Sequence, residues 1–180
     1  MGSAADRRRK AGYAQGLDSP TKSRKAGKGR VALIGWREYV DLPEWGIRKI
    51  LAKVDTGARS SAIDVSHVEE LPGDRVRFEV ISDRGGRVKR YPLEAPITRR
   101  TRVRSSFGTT HDRIFVEVTV RLAEREFRTE VGLVDRENMI CRMLLGRKSL
   151  EKLYRVDPGR CYLHGKRRHR RRPRRVKGTG

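Results

Sequence analysis

Alternation of apolar and polar residues is the feature that most constrains the fold of this chain. Val116, Val118 and Val120 are separated by polar residues, and the same period of two returns over residues 127–133. An earlier pair of segments, 76–80 and 88–91, repeats the pattern on either side of a glycine-containing turn. A period of two is that of a strand with one buried face, and each pair predicts a hairpin.

The rest of the central region adds short strands and one helix. Apolar runs at 31–36 and 47–54 read as strands separated by a turn at 41–44, and residues 61–65 continue as an extended segment. A short helix is predicted for residues 148–154. The expected fold is therefore mainly β, a small closed β-barrel with one short C-terminal helix.

Charge separates the body of the chain from its two ends. Of the formal net charge of +22, residues 1–30 contribute +7 and residues 166–180 contribute +9, which leaves +6 on residues 31–165. Neither end has enough apolar residues to offset the entropy of ordering. We expect a disordered basic arm over 1–30, one folded domain over 31–165 and a disordered Arg-rich tail over 166–180.

The two basic tails suggest an electrostatic role. Nine bases in the last 15 residues could neutralise several phosphates, so non-specific contact with RNA or ribosomes is expected at low salt. The C-terminal tail has no aromatic residue on which a base could stack. No stretch reads as an export signal or a membrane span, which favours a cytoplasmic protein, and Cys141 and Cys161 suit that compartment as reduced thiols, although they could also pair.

The residues that suggest chemistry follow the strand at 47–54. Asp55, Thr56 and Gly57 supply a carboxylate at a strand end, a hydroxyl beside it, and a residue without a side chain that lets backbone and substrate approach. This is the arrangement that a catalytic aspartate loop requires. The same tripeptide also suits an ordinary turn, in which the acid bonds to nearby backbone amides.

A second stretch favours the catalytic loop over the ordinary turn. Met143-Leu144-Leu145-Gly146-Arg147 is an apolar strand that ends in Gly-Arg ahead of the predicted helix. Together with Asp-Thr-Gly-Ala at 55–58, it resembles the retropepsin-like aspartic peptidases, in which the second strand passes beside the aspartate loop. The resemblance narrows to a bacterial family often associated with ATP-grasp glutamate ligases of the RimK kind. It covers about Val31 to Gly165 through the blocks 34–38, 41–44, 52–62, 136–139, 142–147 and 156–158.

The resemblance implies an aspartic endopeptidase whose active form is a homodimer. With a single Asp-Thr-Gly in the chain, two copies of Asp55 would meet on a two-fold axis and share a proton, and Thr56 would bridge the two loops. Ala58, Leu145, Gly146 and Arg147 would support the loop.

A flap that covers the substrate is also implied. Its expected tip lies at residues 105–110, with Ser105, Ser106, Phe107 and Gly108 against the substrate, and Asp83 to Gly86 is the competing candidate.

One position departs from the family pattern. Retropepsins often have an acid four residues after the catalytic one, paired with the arginine of the later Gly-Arg, and here that position is Arg59. Asp135 and Asp64 are the candidate partners of Arg147, which could instead face substrate. A basic rim would suit an acidic protein or peptide, such as a glutamate-rich tail made by a partner ligase.

Other chemistries find less support. The four histidines form no His-Glu-x-x-His motif, there is no Cys-x-x-Cys pair, and no phosphate-binding Gly-x-x-x-x-Gly-Lys loop is present, so neither a metal nor another cofactor is expected. The alternative from a different class is a catalytically inactive barrel that binds RNA or ribosomes through its basic tails.

Overall fold

The computed structural model describes residues 31–83, 87–104 and 110–165. The strands are β1 Ala32–Gly35, β2 Arg37–Leu42, β3 Ile47–Asp55, β4 Ser61–Leu71, β5 Arg75–Asp83, β6 Val88–Arg104, β7 Thr110–Leu122, β8 Arg125–Val134, β9 Met143–Gly146 and β10 Tyr154–Asp157. A single turn of 3₁₀ helix, Pro43–Trp45, joins β2 to β3, and the helix α1 is Arg147–Leu150.

Six strands close into a ring. Following the hydrogen-bonded neighbours gives β2, β3, β9, β4, β8 and β7, and β7 returns to β2 through the pair Asp41 and Arg121. The pairs β3–β9 and β4–β8 are parallel, whereas β4–β9 is antiparallel. The mainly β fold is therefore confirmed, with a ring-like sheet where the sequence predicted a closed barrel.

The two predicted hairpins form a second closed path beside the first. β5 pairs with both β4 and β6, and β6 pairs with β7, so that β4, β5, β6, β7 and β8 also form a closed series of neighbours. β4, β7 and β8 thus belong to both paths. β6 is longer than the pattern predicted, because it continues from the first hairpin through the basic residues 99–104 into the second.

The core follows the period of two. Val116, Val118 and Val120 are fully buried, and so are Val76 and Phe78 on β5. Inward-facing residues of β3, β4 and β9 complete the same apolar cluster, among them Val54, Ile63 and Leu145. The apolar face of each predicted hairpin is therefore its buried face.

The C-terminal helix is shorter than expected. Helical conformation ends after Leu150, Lys152 adopts a positive φ of 64°, and a strand begins at Tyr154, which the sequence placed in the helix. Tyr154 is buried, and its hydroxyl donates a hydrogen bond to the carbonyl of Leu122 at 3.0 Å. Its strand, β10, pairs in parallel with β1. These contacts favour a strand where local propensity alone allows a helix.

Glu38 fastens the end of the described chain to β2. Its buried carboxylate accepts hydrogen bonds from the amides of Gly35 at 2.8 Å, Leu163 at 2.9 Å and His164 at 3.2 Å. Each donor offsets part of the cost of burying this charge. Both cysteines are free thiols, with Cys141 buried and Cys161 partly exposed. The helices of the described residues are all too short or too polar to span a membrane.

Candidate active site

Asp55 is the last residue of β3 and lies on the outer face of that strand. Ala52 and Val54 point into the core, so the intervening Lys53 and the following Asp55 point outward. The Asp55 side chain is 24% exposed, and the next two residues, Thr56 and Gly57, are exposed. The sheet thus presents this carboxylate at an accessible strand end.

The loop after β3 fixes one oxygen of that carboxylate. Oδ1 of Asp55 accepts hydrogen bonds from the amides of Gly57 and Ala58, both at 3.1 Å. Amide donors favour the charged form of an acid and hold its plane in one orientation. The second oxygen, Oδ2, receives no hydrogen bond from the loop backbone.

Lys53 binds that second oxygen. Its Nζ lies 3.0 Å from Oδ2 of Asp55. The Lys53 ammonium and the two loop amides together lower the pKa of Asp55 below its usual value, with burial acting in the opposite direction. Lys53 was not among the residues predicted for the site, although residues two apart on a strand lie on the same face, and this spacing alone pairs it with Asp55.

β9 passes beside the aspartate loop, as predicted. It runs parallel to β3 with Asp55 opposite Gly146 and Val54 opposite Leu145, which is buried. A Cβ placed on Gly146 would lie 2.5 Å from the carbonyl carbon and oxygen of Ser60. Only a glycine fits at this contact without displacing the backbone that follows the loop.

A chain of buried and partly buried hydroxyls supports the same contact. The amide of Gly146 donates to Oγ of Ser61 at 3.0 Å. Oγ of Ser61 lies 2.6 Å from Oγ of Ser149, which in turn lies 2.6 Å from Oγ1 of Thr129. Residues on β4, α1 and β8 are thereby joined behind the loop.

The start of α1 holds the loop from the other side. The amide of Arg147 donates to the carbonyl of Ala58 at 2.8 Å, and that of Lys148 donates to the carbonyl of Arg59 at 3.1 Å. The Arg147 guanidinium also donates to the carbonyl of Thr56 at 3.3 Å. Arg147 therefore contacts the loop directly.

Neither acid considered as the partner of Arg147 occupies that place. Asp64 is fully buried and pairs with Arg142, whose Nη1 lies 2.7 Å from its Oδ2. Asp135 accepts a hydrogen bond from the amide of Glu137 at 2.9 Å. The acid near Arg147 is Glu151, one helical turn away, with 4.0 Å between Nε and Oε1. Asp64 was a poor candidate because both of its carboxylate oxygens bind residues of the segment that leads into β9, namely Arg136 and Arg142.

Among the described residues, the structure brings together those predicted to form and support the aspartate loop. Asp55 to Ala58 and Leu145 to Arg147 share one end of the β3–β9 pair. The expected flap tip, with Ser105, Ser106, Phe107 and Gly108, lies outside the described residues, as do residues 84–86 of the competing turn. In the described parts of the chain, no three His, Cys, Asp or Glu side chains are grouped to hold a metal ion.

Comparison with protein families identifies the group to which this arrangement belongs. A family model described as RimB-like, "Retropepsin-like aspartic endopeptidase RimB", matches residues 33–167. The chain belongs to this family. The resemblance drawn from the Asp55 and Gly146 motifs is thereby confirmed.

Curated relatives of this RimB-like chain have a different name. It is 32% identical over 132 residues to a "Probable alpha-L-glutamate ligase" of Parasynechococcus marenigrum (strain WH8102), covering 72% of this chain and 28% of that protein. It is 29% identical over 136 residues to the protein of the same name from Shewanella pealeana, covering 74% of this chain and 30% of the relative. The RimB-like chain therefore spans less than a third of the length of these relatives.

A solved structure shares the fold. It is the crystal structure of Lpg0085, a protein of unknown function from Legionella pneumophila, with a TM-score of 0.61 and 23% sequence identity. The match covers 74% of this chain and 98% of that one. The likeness shows that the ring-like arrangement of strands occurs in another protein.

Proposed function

We propose that this RimB-like chain is an aspartic endopeptidase that hydrolyses peptide bonds with a pair of Asp55 carboxylates, one from each subunit of a homodimer. The observation that supports this most directly is the state of Asp55 itself. Its carboxylate lies at an exposed strand end, with Oδ1 oriented by the amides of Gly57 and Ala58. Oδ2 lies on the outer side of the strand, where its partner is the half-exposed Lys53.

A single Asp55 does not provide the full set of groups. Peptide hydrolysis by this route needs one ionised carboxylate to take a proton from water and one protonated carboxyl to donate to the carbonyl oxygen. Among the described residues, the contacts of Asp55 are with Lys53, Gly57 and Ala58, none of which is an acid. The exposed Thr56 and Gly57 leave room for a second copy of the loop to supply the missing carboxyl.

In the proposed dimer, the two carboxyls share one proton because like charges so close cannot both ionise. The ionised member takes a proton from water, and the resulting hydroxide attacks the peptide carbonyl while the other member protonates the oxygen. Collapse of the tetrahedral intermediate breaks the C–N bond and returns one hydroxyl proton to the second carboxylate, while the carboxyl that took a proton from water gives it to the leaving amine. The amides of Gly57 and Ala58 hold the acid in orientation throughout.

We infer that the substrate is an acidic protein tail, including tails extended with glutamate. Lys53, Arg59 and Arg147 are exposed around the aspartate loop, and the acid nearest to Arg147 is itself exposed. A cluster of cations raises the local concentration of an acidic peptide. Relatives named as glutamate ligases contain a segment similar to this chain, which supports a link between the proposed hydrolysis and glutamate addition by an associated ligase.

The test uses the full chain and a glutamate-rich peptide. Asp55→Asn should fold and dimerise like the parent while its cleavage rate falls by about 10²–10⁴-fold, the usual contribution of a general acid or base. When parent protein exchanges subunits with excess Asp55→Asn, activity should fall with the square of the share of parent chains, because only a dimer of two parent chains contains both carboxyls. Cleavage by the mutant at the parental rate would exclude the aspartic mechanism, and an active monomer in sedimentation would exclude the shared pair.

A further inference from the structure

Lys53 binds Oδ2 of Asp55, the carboxylate oxygen that the proposed reaction needs. Oδ1 of Asp55 is taken by two loop amides, and Nζ of Lys53 lies 3.0 Å from Oδ2. In the proposed dimer, Oδ2 is the oxygen left to contact water or the partner carboxyl. The resting contact and the catalytic contact therefore compete for one atom.

The charge of Lys53 opposes the shared proton as well. A cation beside Asp55 favours its ionised form and lowers its pKa. A pair of carboxyls that shares a proton requires the opposite, because one of the two must be protonated at working pH. The site as described thus holds Asp55 in the state that suits only half of the reaction.

Lys53 is partly exposed to solvent, and its surroundings favour an incoming anion. Its side chain is 47% exposed, and the residue opposite it on β2 is Arg37, a like charge across the strands. On β9 the opposite residue is the uncharged Leu144. The other charged or titratable groups around this face are Arg59 in the loop, Arg136 and the Cys141 thiol before β9, and Arg147 with Glu151 on and after α1.

We propose that Lys53 is an exchangeable counter-ion that pairs with Asp55 in the empty site and transfers to an acidic side chain of the bound peptide, which releases Oδ2 for the carboxyl pair. The exchange replaces one ion pair by another and forms no covalent bond, and the shared proton enters from solvent. The proposal rests on the proposed peptidase function and makes Lys53 a positioning residue. Acidic peptides would then be preferred because they complete the site as well as bind to it.

The first test compares peptides that differ only in Glu or Gln beside the scissile bond. The parent should have the higher kcat/KM for the Glu peptide. Lys53→Gln should reduce that preference on the order of tenfold to a hundredfold, as expected for a hydrogen bond to a charged group. Its pH–rate profile should also move to higher pH, because Asp55 loses the cation that lowers its pKa. Lys53→Arg, which keeps the charge, should restore the preference.

Lys49→Gln is the matched control, since Lys49 is an exposed lysine on the same strand. It should retain the parental ratio of Glu to Gln cleavage and the parental pH profile. If Lys53→Gln discriminated between the two peptides as the parent does, or if its pH profile were unchanged, the counter-ion role would be overturned while the peptidase function stood.

The second test does not depend on turnover. The carboxyl carbon of Asp55 is titrated by ¹³C NMR in the presence of acetyl-Glu-Glu-amide or acetyl-Gln-Gln-amide at equal ionic strength. The Glu probe should raise the pKa of Asp55 in the parent, whereas the Gln probe should not, and the rise with the Glu probe should be smaller in Lys53→Gln, where only the negative charge of the probe acts. A parental pKa that does not move when the Glu probe is bound would overturn the exchange. If it rises but no peptide is cleaved, the exchange stands and the peptidase function fails.

Discussion

Asp55 and Asp64 are two aspartates on adjacent segments of the chain, each beside a cation, and they have opposite environments. Asp64 is fully buried, with Oδ2 2.7 Å from Nη1 of Arg142 and Oδ1 2.6 Å from the amide of Arg136. The Arg142 side chain is only 14% exposed, so this pair is closed to solvent. Asp55 has one oxygen on the loop amides and the other on a lysine that is nearly half exposed.

The difference shows how the fold separates a carboxylate held by buried partners from one that stays accessible. Both oxygens of Asp64 are committed to buried partners, and exchange would leave charges unpaired away from water. At Asp55 the orientation comes from backbone amides that cannot leave, whereas the occupant of Oδ2 can be replaced at low cost because water solvates both ions. A cation nearby is common to both sites, and burial decides which carboxylate solvent can reach.

The largest expected effect follows from removing the charge of Asp64. Asp64→Asn leaves the buried Arg142 without its partner, and breaking a buried pair in this way typically costs about 3–5 kcal/mol of unfolding free energy. Thermal unfolding should shift far more than for Asp55→Asn. Cleavage measured at low temperature should stay close to that of the parent.

Asp112→Asn is the control for this prediction. Asp112 also pairs with an arginine, Arg102, at 3.2 Å, but both side chains are about three-quarters exposed, at 75% and 76%. Its substitution should leave stability nearly unchanged. The contrast between the two aspartates would fail if folded Asp64→Asn lost cleavage as completely as Asp55→Asn.

A smaller effect is expected at the contact behind Asp55. Gly146→Val places side-chain atoms against the Ser60 backbone, where even a Cβ would come within 2.5 Å. Overpacking costs about 1–3 kcal/mol, and a displacement of about 1 Å at the carboxylate costs on the order of a hundredfold in rate. The mutant should fold at low temperature, melt earlier and cleave more slowly than its lost stability explains.

Gly159→Val tests whether this effect depends on position. The nearest atom to a Cβ at Gly159 is Oδ1 of Asp157 at 3.4 Å, an ordinary contact. Both melting and cleavage of this variant should stay near the parental values. A Gly146→Val protein that melted and cleaved like the parent would mean that β9 does not position the loop.

The smallest effect concerns acid stability. Because the folded protein lowers the pKa of Asp55, its ion pair adds stability above the ordinary pKa of 3.8, and this is lost as the pH falls through the lowered value. An accessible pair contributes only about 0–1 kcal/mol. Melting temperatures between neutral pH and about pH 2 should therefore fall slightly less for Asp55→Asn than for the parent. If the melting temperatures of the two proteins fell by the same amount with pH, Lys53 would not form an ion pair with Asp55 in solution.

The sequence was sufficient to predict the elements in which apolar and polar residues alternate regularly. The hairpins around 76–91 and 114–133, the strand before Asp55 and the passage of Gly146 beside the loop all follow from local pattern or from the two motifs. The end of the helix did not, because what converts Tyr154 to a strand is its parallel pairing with β1 and its bond to Leu122. Local propensity depends only on neighbouring residues, so it cannot predict a strand that distant partners stabilise.

The same reason explains the errors at the candidate site. Arg142 and Asp64 are 78 residues apart, and nothing in the sequence distinguishes that pair from Asp64 with Arg147. Lys53 and Asp55 are different, since their separation of two on a strand was enough to place them on one face. The lysine is thus the cation on the outer face that the spacing alone places beside the acid.

The anchoring of the aspartate loop by α1 also has a consequence for how the protein is made. Thr56 and Arg147 are separated by 91 residues, and the amides that bind Ala58 and Arg59 belong to that same late segment. Chain growth on a ribosome proceeds at about 5–20 residues per second, so Asp55 spends several seconds outside the tunnel before its supports exist. Pairings so distant in sequence also form slowly once the chain is complete. A partly synthesised chain thus has the aspartate but no ordered loop, and the site can form only after β9 and α1 have been translated.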